Sequence, residues 1–323
     1  MTIDTGVLLG AYAMSPADTA DEERFYAGVA DLGVGGLELP LFPQGAPWLE
    51  PAWIARNVSP AWDLLITCIP TVMGRLGTAP GYGLASADEA GRRQALDDVA
   101  RAQALALRLA EQHGRRRVVA IQVHSAPGPA GGSGDALARS LAQILAWDLA
   151  GARVLVEHCD TVVPGQAAAK GFLSIHDEIA AIVAAGAGSG TSTPGLSVNW
   201  GRSAIEGRST QTPVGHVRAA VSAGVLGAVV FSGAADSPTS WGPPWSDAHI
   251  PPRGQAPGLD AASGSLLSGR EITATLRAAG DVPLIALKVS VRPDDADVPT
   301  RLAVARAALD LVNLSRSPSG REQ

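Results

Sequence analysis

Four residues with chemically reactive side chains follow one another where a strand-like apolar run ends. The run Arg153-Val154-Leu155-Val156 is followed by Glu157-His158-Cys159-Asp160, which supplies two carboxylates, an imidazole and a thiol. Such groups ligate divalent metals and transfer protons. Alternation along a strand places Glu157 and Cys159 on one face and turns His158 toward the surrounding helices. The spacing leaves both a metal site and an acid/base site open.

Polar residues end most of the other strand-like runs as well. In the fourth run, Val119, Ile121 and Val123 are predicted to face outward, which sends Gln122 and His124 inward. The same alternation predicts an inward cluster at one end of a barrel, formed by Glu38, His124, Glu157, Asn199, Ser232 and Lys288. Buried charges need partners, so this cluster must pair internally, bind a cation or line a wet pocket. A Glu157–Lys288 salt bridge is the structural alternative to a catalytic site.

The elements that would position these residues alternate regularly between strand and helix. Strands are predicted at 6–12, 35–41, 63–70, 118–124, 153–158, 195–200, 226–232 and 283–290. Helices are predicted at 19–32, 48–56, 86–113, 133–150, 171–186, 212–223, 267–279 and 297–314, with start signals at Ser86-Ala87-Asp88-Glu89 and Thr212-Pro213. This order is typical of an α/β fold with a single (β/α)₈ TIM barrel over residues 1–315, followed by a disordered tail at 316–323. A doubly wound sheet would bring a glycine-rich phosphate loop after the first strand, which is missing here, so no nucleotide cofactor is expected.

A long segment without regular pattern follows the seventh strand, from Gly233 to about Ser265. Long ordered loops are usually functional. Asp247 and His249 would project together over the barrel mouth if the backbone is extended there, and Arg253 follows them. The tryptophans of this loop would alternatively cover the barrel end or line a homodimer contact.

The sixth run ends in Asn199-Trp200-Gly201-Arg202. An arginine fork suits a carboxylate, phosphate or sulfonate, and a tryptophan face suits a sugar ring. Ordinary interface packing is the alternative for both. The predicted substrate-binding residues are Glu38, Asn199, Trp200, Arg202, Ser232 and Arg253.

Composition excludes several classes of function. The 25 basic and 31 acidic residues give a formal charge of −6, which disfavours a nucleic-acid partner. No apolar stretch is long enough to span a membrane. Two cysteines do not make a disulfide framework, so a reducing cytoplasm is the expected location.

The chain resembles a divergent branch of the xylose-isomerase-like TIM-barrel superfamily, which includes sugar isomerases, sugar epimerases and inosose dehydratases and is related in fold to the apurinic endonucleases. The resemblance rests on the eight-unit order, on Gly36-Leu37-Glu38-Leu39, on Val123-His124-Ser125 and on Val156-Glu157-His158. Asp247-Ala248-His249 is similar to the Asp-x-His element of the endonuclease branch.

The resemblance implies a divalent metal held by Glu, Asp, His and Glu at the ends of strands five to eight. Only Glu157 matches, because the other three positions carry Asn199, Ser232 and Lys288. Three options follow: a rebuilt Mn, Zn or Co site using Glu157, Asp247 and His249, with His124 or Asp160 as further ligands; a metal-free acid/base site; or a catalytically inactive barrel that binds a ligand.

The resulting hypothesis is an enzyme that isomerises, epimerises or dehydrates a small carbohydrate-like substrate next to its carbonyl group. Glu157 is the candidate base, with Lys288 and His124, or a bound metal, stabilising the developing enolate oxygen. Arg202 would anchor an anionic substituent. A Schiff-base aldolase using Lys288 and a non-catalytic sugar-binding barrel remain open alternatives.

Overall fold

The computed structural model describes residues 6–44, 47–187 and 193–316. Within these residues, eight parallel strands pair in chain order and close into a barrel, with the last strand beside the first. The strands are β1 (Val7–Leu9), β2 (Gly36–Pro40), β3 (Asp63–Thr67), β4 (Val118–Val123), β5 (Arg153–His158), β6 (Gly195–Asn199), β7 (Leu226–Phe231) and β8 (Leu284–Leu287). The predicted α/β class and single TIM barrel are confirmed. The predicted tail at 316–323 lies outside the described residues, except for Arg316, which ends the last helix.

Helices surround the barrel and cover its outer face. They are α1 (Thr19–Ala30), α2 (Pro51–Asn57), α3 (Ile69–Leu76), α4 (Glu89–His113), α5 (Gly134–Leu145), α6 (Ile175–Ala187), α7 (Trp200–Gly207), α8 (Thr212–Ser222), α9 (Gly269–Ala279) and α10 (Val298–Arg316), with short 3₁₀ helices at Ala11–Met14, Pro47–Leu49 and Pro257–Ala262. Both predicted start signals are confirmed: Asp88 caps α4 by accepting from the amide of Ala90, and α8 begins at Thr212 with proline in its first turn. None of the described helices has the length and apolar character that a membrane crossing requires.

Two short helices, α3 and α7, were not predicted from the sequence. The apolar residues Cys68 and Ile69 continue the third strand-like run, so the pattern hides the helix start that Pro70 marks. The helix α7 has only eight residues and contains two glycines, which weakens its helical signal. Its start is set by Asn199, whose side chain accepts a hydrogen bond from the amide of Arg202. This missed helix carries Arg202 to the barrel mouth.

The first and last predicted strands are shorter than expected. The predicted strand at 6–12 ends at Leu9, and the chain turns at once into the 3₁₀ helix Ala11–Met14. The predicted strand at 283–290 ends at Leu287. Tyr12 therefore lies on a turn and Lys288 directly follows its strand.

The barrel interior has an apolar floor below a polar layer. The floor is one cluster of buried side chains: Leu8, Leu65, Val119, Ala120, Leu155, Ala228, Val230, Leu284 and Ala286. The prediction that Val119 faces the helices was wrong. The β3–β4 ladder shifts register there, since Leu64 pairs with Val118 and Leu65 with Ala120, and the extra residue breaks the alternation.

The buried guanidinium of Arg301 in α10 fixes the turn that carries Tyr12. It donates to the carbonyl of Met14 at 2.8 Å, to that of Ala296 at 2.7 Å and to that of Asp294. The side chain closes the gap between the first and last units of the barrel. One residue therefore satisfies three backbone acceptors on two separate loops.

We expect Arg301→Met to lower the free energy of unfolding by roughly 3 kcal/mol, because buried carbonyls lose their donors. Urea denaturation followed by circular dichroism measures this difference. Arg306→Met is the matched control, since Arg306 lies exposed on the same helix and should change stability by less than about 0.5 kcal/mol. Equal effects of the two substitutions would contradict the role of Arg301.

Candidate active site

The six strand-end residues predicted to converge do lie together at the C-terminal mouth of the barrel. Glu38 is in β2, Glu157 in β5 and Asn199 at the end of β6, while His124, Ser232 and Lys288 directly follow β4, β7 and β8. Each is at most 1% exposed. The alternation of the strands brings these side chains to one cluster, and direct contacts link most of them.

Glu157 is the most heavily contacted carboxylate of the cluster. Its Oε2 lies 2.8 Å from His124 Nε2 and 2.6 Å from Arg202 Nη1, and its Oε1 accepts a hydrogen bond of 2.9 Å from Asn199. Burial alone would raise the pKa of Glu157, but the charge of Arg202 and the contact with His124 outweigh it and hold the pKa well below its ordinary value. The carboxylate is therefore ionised at neutral pH.

One nitrogen of the His124 ring has no hydrogen-bond partner among the described residues. Burial lowers the pKa of its imidazole, so the ring is neutral. Because Glu157 can only accept, the ring proton lies on Nε2 and leaves Nδ1 as an acceptor. Nδ1 is buried and has no hydrogen-bond partner in the described part of the protein.

A second buried pair joins Glu38 to Lys288. Nζ of Lys288 donates to Oε1 of Glu38 at 2.8 Å and lies 5.0 Å above the ring of Tyr12, whose hydroxyl is 3.4 Å from the same oxygen. Burial would lower the pKa of Lys288, yet the charge of Glu38 outweighs it and raises the pKa above its ordinary value. The predicted alternative of a Glu157–Lys288 salt bridge is replaced by two separate pairs.

Asp247 and His249 reach the mouth from the long loop, as predicted, with Nδ1 of His249 at 3.5 Å from Oδ1 of Asp247. The backbone at His249 is left-handed, with φ of 54°, rather than extended. Oδ2 of Asp247 lies 3.1 Å from both Arg202 Nε and Lys170 Nζ. Nδ1 of His249 also lies 2.9 Å from the hydroxyl of Ser232. Burial lowers the pKa of His249 to about 3, so this imidazole is neutral.

Two predicted substrate-binding residues are not brought into the cluster. Trp200 is fully buried in the main hydrophobic core. Arg253 donates to the carbonyl of Ser265 and lies 4.0 Å from Glu271. The substrate-binding roles of Trp200 and Arg253 stay predictions, and the location of these two side chains does not support them.

Sequence reasoning missed two members of the site, Tyr12 and Lys170. Tyr12 was assigned to a strand, and Lys170 lies in an irregular loop between β5 and α6, where periodicity carries no information.

The tryptophans of the long loop contact other residues of the same chain. Trp241 packs with Ala235, Ile250 and Ala262, and Trp245 lies under the guanidinium of Arg208 at 5.1 Å.

Residues 8–304 match the family described as a domain of unknown function, DUF4862. The chain belongs to this family. An uncharacterised protein of Salmonella typhimurium strain LT2 is 33% identical over 261 residues, which are 78% of this chain and 80% of that protein.

Solved structures share the fold of this DUF4862 protein at low identity. L-ribulose 3-epimerase aligns over 98% of this chain and 95% of its own, with a TM-score of 0.59 and 14% identity. A xylose isomerase domain protein from Alicyclobacillus acidocaldarius covers 97% of this chain and 99% of its own, with a TM-score of 0.56 and 14% identity. These likenesses show that the chain shares the barrel fold of those proteins, as predicted.

Two groups of side chains in the described residues bring metal-ligand atoms within 4.8 Å of one another: His124, Glu157 and Cys159, and His158, Glu206 and His216. The predicted ligand set of Glu157, Asp247 and His249 is not among them. The guanidinium of Arg202 contacts both Glu157 and Asp247 instead. Nη1 of Arg202 also lies 3.3 Å from the sulfur of Cys159, so the guanidinium contacts two members of the first group.

The second group belongs to a polar network on the helix side of β5. His158 faces outward, as the alternation predicts, with Nδ1 at 2.7 Å from Glu178 and Nε2 at 3.1 Å from Glu206. Glu206 also lies 3.4 Å from His216 Nε2 and accepts from the amide of Thr161. This network ties the end of β5 to α6, α7 and α8.

The charge on His158 should make the free energy of unfolding decrease as the pH rises above neutral. Burial opposes its charged form, but Glu178 and Glu206 outweigh this effect and raise its pKa to about 10, against about 6.5 in an unfolded chain. A raised folded-state pKa gives stability that is fully present below about pH 6.5 and is lost as pH rises toward 10. We expect the stability difference between wild type and His158→Gln to shrink between pH 7 and 10, by up to about 1.4 kcal/mol per pH unit.

Urea denaturation at several pH values, with a chelator present, measures this difference. His176→Gln is the control, because His176 lies exposed in the first turn of α6. A difference between wild type and His158→Gln that stays constant from pH 7 to 10 would show that His158 is not charged in the folded protein.

Proposed function

We propose that this chain is a sugar isomerase or epimerase that moves a proton at a carbon next to the carbonyl of a small, neutral, polyhydroxylated substrate. The observation that carries this proposal is a set of buried polar atoms without protein partners in the described residues. They are Glu38 Oε2, Thr67 Oγ1, both amide atoms of Gln122, His124 Nδ1 and Ser197 Oγ.

The residues that carry these atoms share the interior face of the barrel by register and alternation. Thr67 and Gln122 pair in register, and each lies two residues beyond a member of the apolar floor, Leu65 and Ala120. Ser197 pairs with Glu157 and Ala228 across its two neighbouring strands. A buried polar group without a partner costs about 1–3 kcal/mol. A ligand with several hydroxyl groups can both donate to and accept from this layer.

The charges favour a neutral substrate over an anionic one. The predicted role of Arg202 was to anchor an anionic substituent, but its guanidinium is already bound to Glu157 and Asp247. Two of the unpartnered atoms, Glu38 Oε2 and His124 Nδ1, are pure acceptors and suit hydroxyl donors.

Proton transfer requires a base and a group that stabilises the oxygen of the enolate intermediate. Glu157 is the proposed base, because it is ionised and its contacts with three neighbouring side chains leave about one of four lone-pair positions open. Removal of the carbon-bound proton by Glu157 leaves the electron pair on the carbonyl oxygen as an enolate. The ammonium of Lys288 stabilises that oxygen. Return of a proton to the opposite face of the same carbon completes an epimerisation, whereas return to the former carbonyl carbon, with transfer of the neighbouring hydroxyl proton to the enolate oxygen, completes an isomerisation.

The Schiff-base alternative needs a lysine whose pKa is depressed so that the amine is free to attack. Glu38 does the opposite, since its charge raises the pKa of Lys288. This favours an electrostatic role for Lys288 over a nucleophilic one, and borohydride in the presence of substrate should trap no adduct.

The test is incubation of the purified protein with a panel of aldoses and ketoses in D₂O, followed by NMR. We expect deuterium at the carbon next to the carbonyl with at least one sugar, and Glu157→Gln should slow this exchange roughly 10²- to 10⁴-fold. Glu111→Gln is the matched control, since Glu111 lies exposed on α4. Glu38→Gln tests the competing carboxylate, whose Oε2 is buried without a hydrogen-bond partner among the described residues.

Full exchange in Glu157→Gln, with loss in Glu38→Gln, would assign the base to Glu38 instead. Sugar-dependent thermal stabilisation with no exchange for any substrate would replace the enzyme with a sugar-binding barrel.

A further inference from the structure

We propose that the guanidinium of Arg202 stands where a barrel of this type would hold a divalent cation, so that this site is charge-balanced without a metal. This proposal concerns the same site as the proposed function, but it does not require that the protein acts on a sugar. It is argued from the chemistry of the donors and from the contacts of Arg202.

The four strand-end positions that the superfamily resemblance assigns to metal ligands carry one suitable donor. Glu157 offers a carboxylate, but Asn199 offers an amide and Ser232 a neutral hydroxyl. Lys288 offers an ammonium, which has three donors and no lone pair for a metal. Its Nζ lies 2.8 Å from Glu38 Oε1 in a fully buried ion pair. The donor set therefore does not fit a divalent cation.

Arg202 contacts the two carboxylates that remain available. Nη1 is 2.6 Å from Glu157 Oε2, and Nε is 3.1 Å from Asp247 Oδ2. A metal joining Glu157 Oε2 to Asp247 Oδ2 would have to displace the guanidinium, which contacts these two oxygens at 2.6 and 3.1 Å. Arg202 is 1% exposed, and Nη1 also lies 3.3 Å from the sulfur of Cys159, so the side chain is held from several sides.

The charges of the described site balance in three pairs. The three carboxylates are Glu38, Glu157 and Asp247, and the three cations beside them at 3.1 Å or less are Lys288, Arg202 and Lys170. A divalent ion would add two positive charges to a buried cluster that already sums to zero, and this is unfavourable without water to screen it.

Arg202 reaches this position through the short helix α7. Asn199 ends β6 and caps α7, so that the third helical residue points back over the strand end. Asn199 also donates to Glu157, which lets one amide both cap the helix and hold the carboxylate. Arg202 is thus a positioning residue that holds the carboxylate of Glu157 in place.

The experiment measures metal binding and needs no turnover. Chelator-treated wild type, Glu157→Gln and His216→Asn are titrated with Mn²⁺ and Co²⁺ by calorimetry, and metal content is determined after purification. We expect the wild type to show no binding that depends on Glu157. Metal binding that is lost only in His216→Asn would come from the separate group of His158, Glu206 and His216. Such binding agrees with the proposal, because it does not involve Glu157.

Two further variants test whether the guanidinium takes the place of the cation. Arg202→His puts a metal ligand beside Glu157, Asp247 and His249, while Arg202→Gln removes the charge without adding an imidazole. We expect Arg202→His to bind Co²⁺ at least about tenfold more tightly than Arg202→Gln and to gain thermal stability from the metal. Circular dichroism establishes that both variants fold.

About one equivalent of Mn, Co or Zn in the wild type, lost in Glu157→Gln and kept in His216→Asn, would overturn the proposal. So would folded Arg202→His with no gain in affinity. If Arg202→His does not fold, the comparison of wild type with Glu157→Gln decides alone. A failure to find sugar exchange would leave these metal measurements unaffected, so the two proposals fail separately.

Discussion

The ion pair between Glu157 and Arg202 is the interaction on which the rest of the site depends. Both side chains are removed from water, so neither charge is tolerable without the other. Arg202 then holds Asp247 and with it the long loop after β7, and Glu157 holds His124 and Asn199. Loss of either partner would leave a buried charge in contact with several polar groups at once, which is why the pair fixes the shape of the whole mouth.

The end of β5 is held from both faces of the barrel wall. Glu157 points inward to Arg202, while its neighbour His158 points outward to Glu178 and Glu206. Glu206 and Arg202 both belong to α7, so one short helix contacts two successive residues of β5 on opposite sides. The position of the proposed base therefore depends on α7 as much as on the barrel sheet.

The sequence was sufficient for the architecture and for the residues that strands carry. The periodicity of hydrophobic residues predicted the eight strand–helix units. Alternation along each strand predicted which residues around Glu157 face inward, because a strand has only two faces. Periodicity failed where the chain is irregular. The register shift at Val119, the turn with Tyr12 and the loop with Lys170 depend on local contacts that leave no repeating pattern. Arg202 was predicted as a site residue, but its contacts could not be predicted because the helix α7, which orients its side chain, was not predicted.

The pairing of charges also decides what kind of ligand the interior can accept. An anion would have to compete with Glu157 and Asp247 for Arg202, whose guanidinium lies within 3.1 Å of both carboxylates. A neutral polyol meets no such competition, because the unpartnered atoms of Gln122, His124 and Glu38 can accept from or donate to hydroxyl groups without disturbing the ion pairs. A site that keeps its charges paired thus favours recognition by hydrogen bonds over recognition by charge.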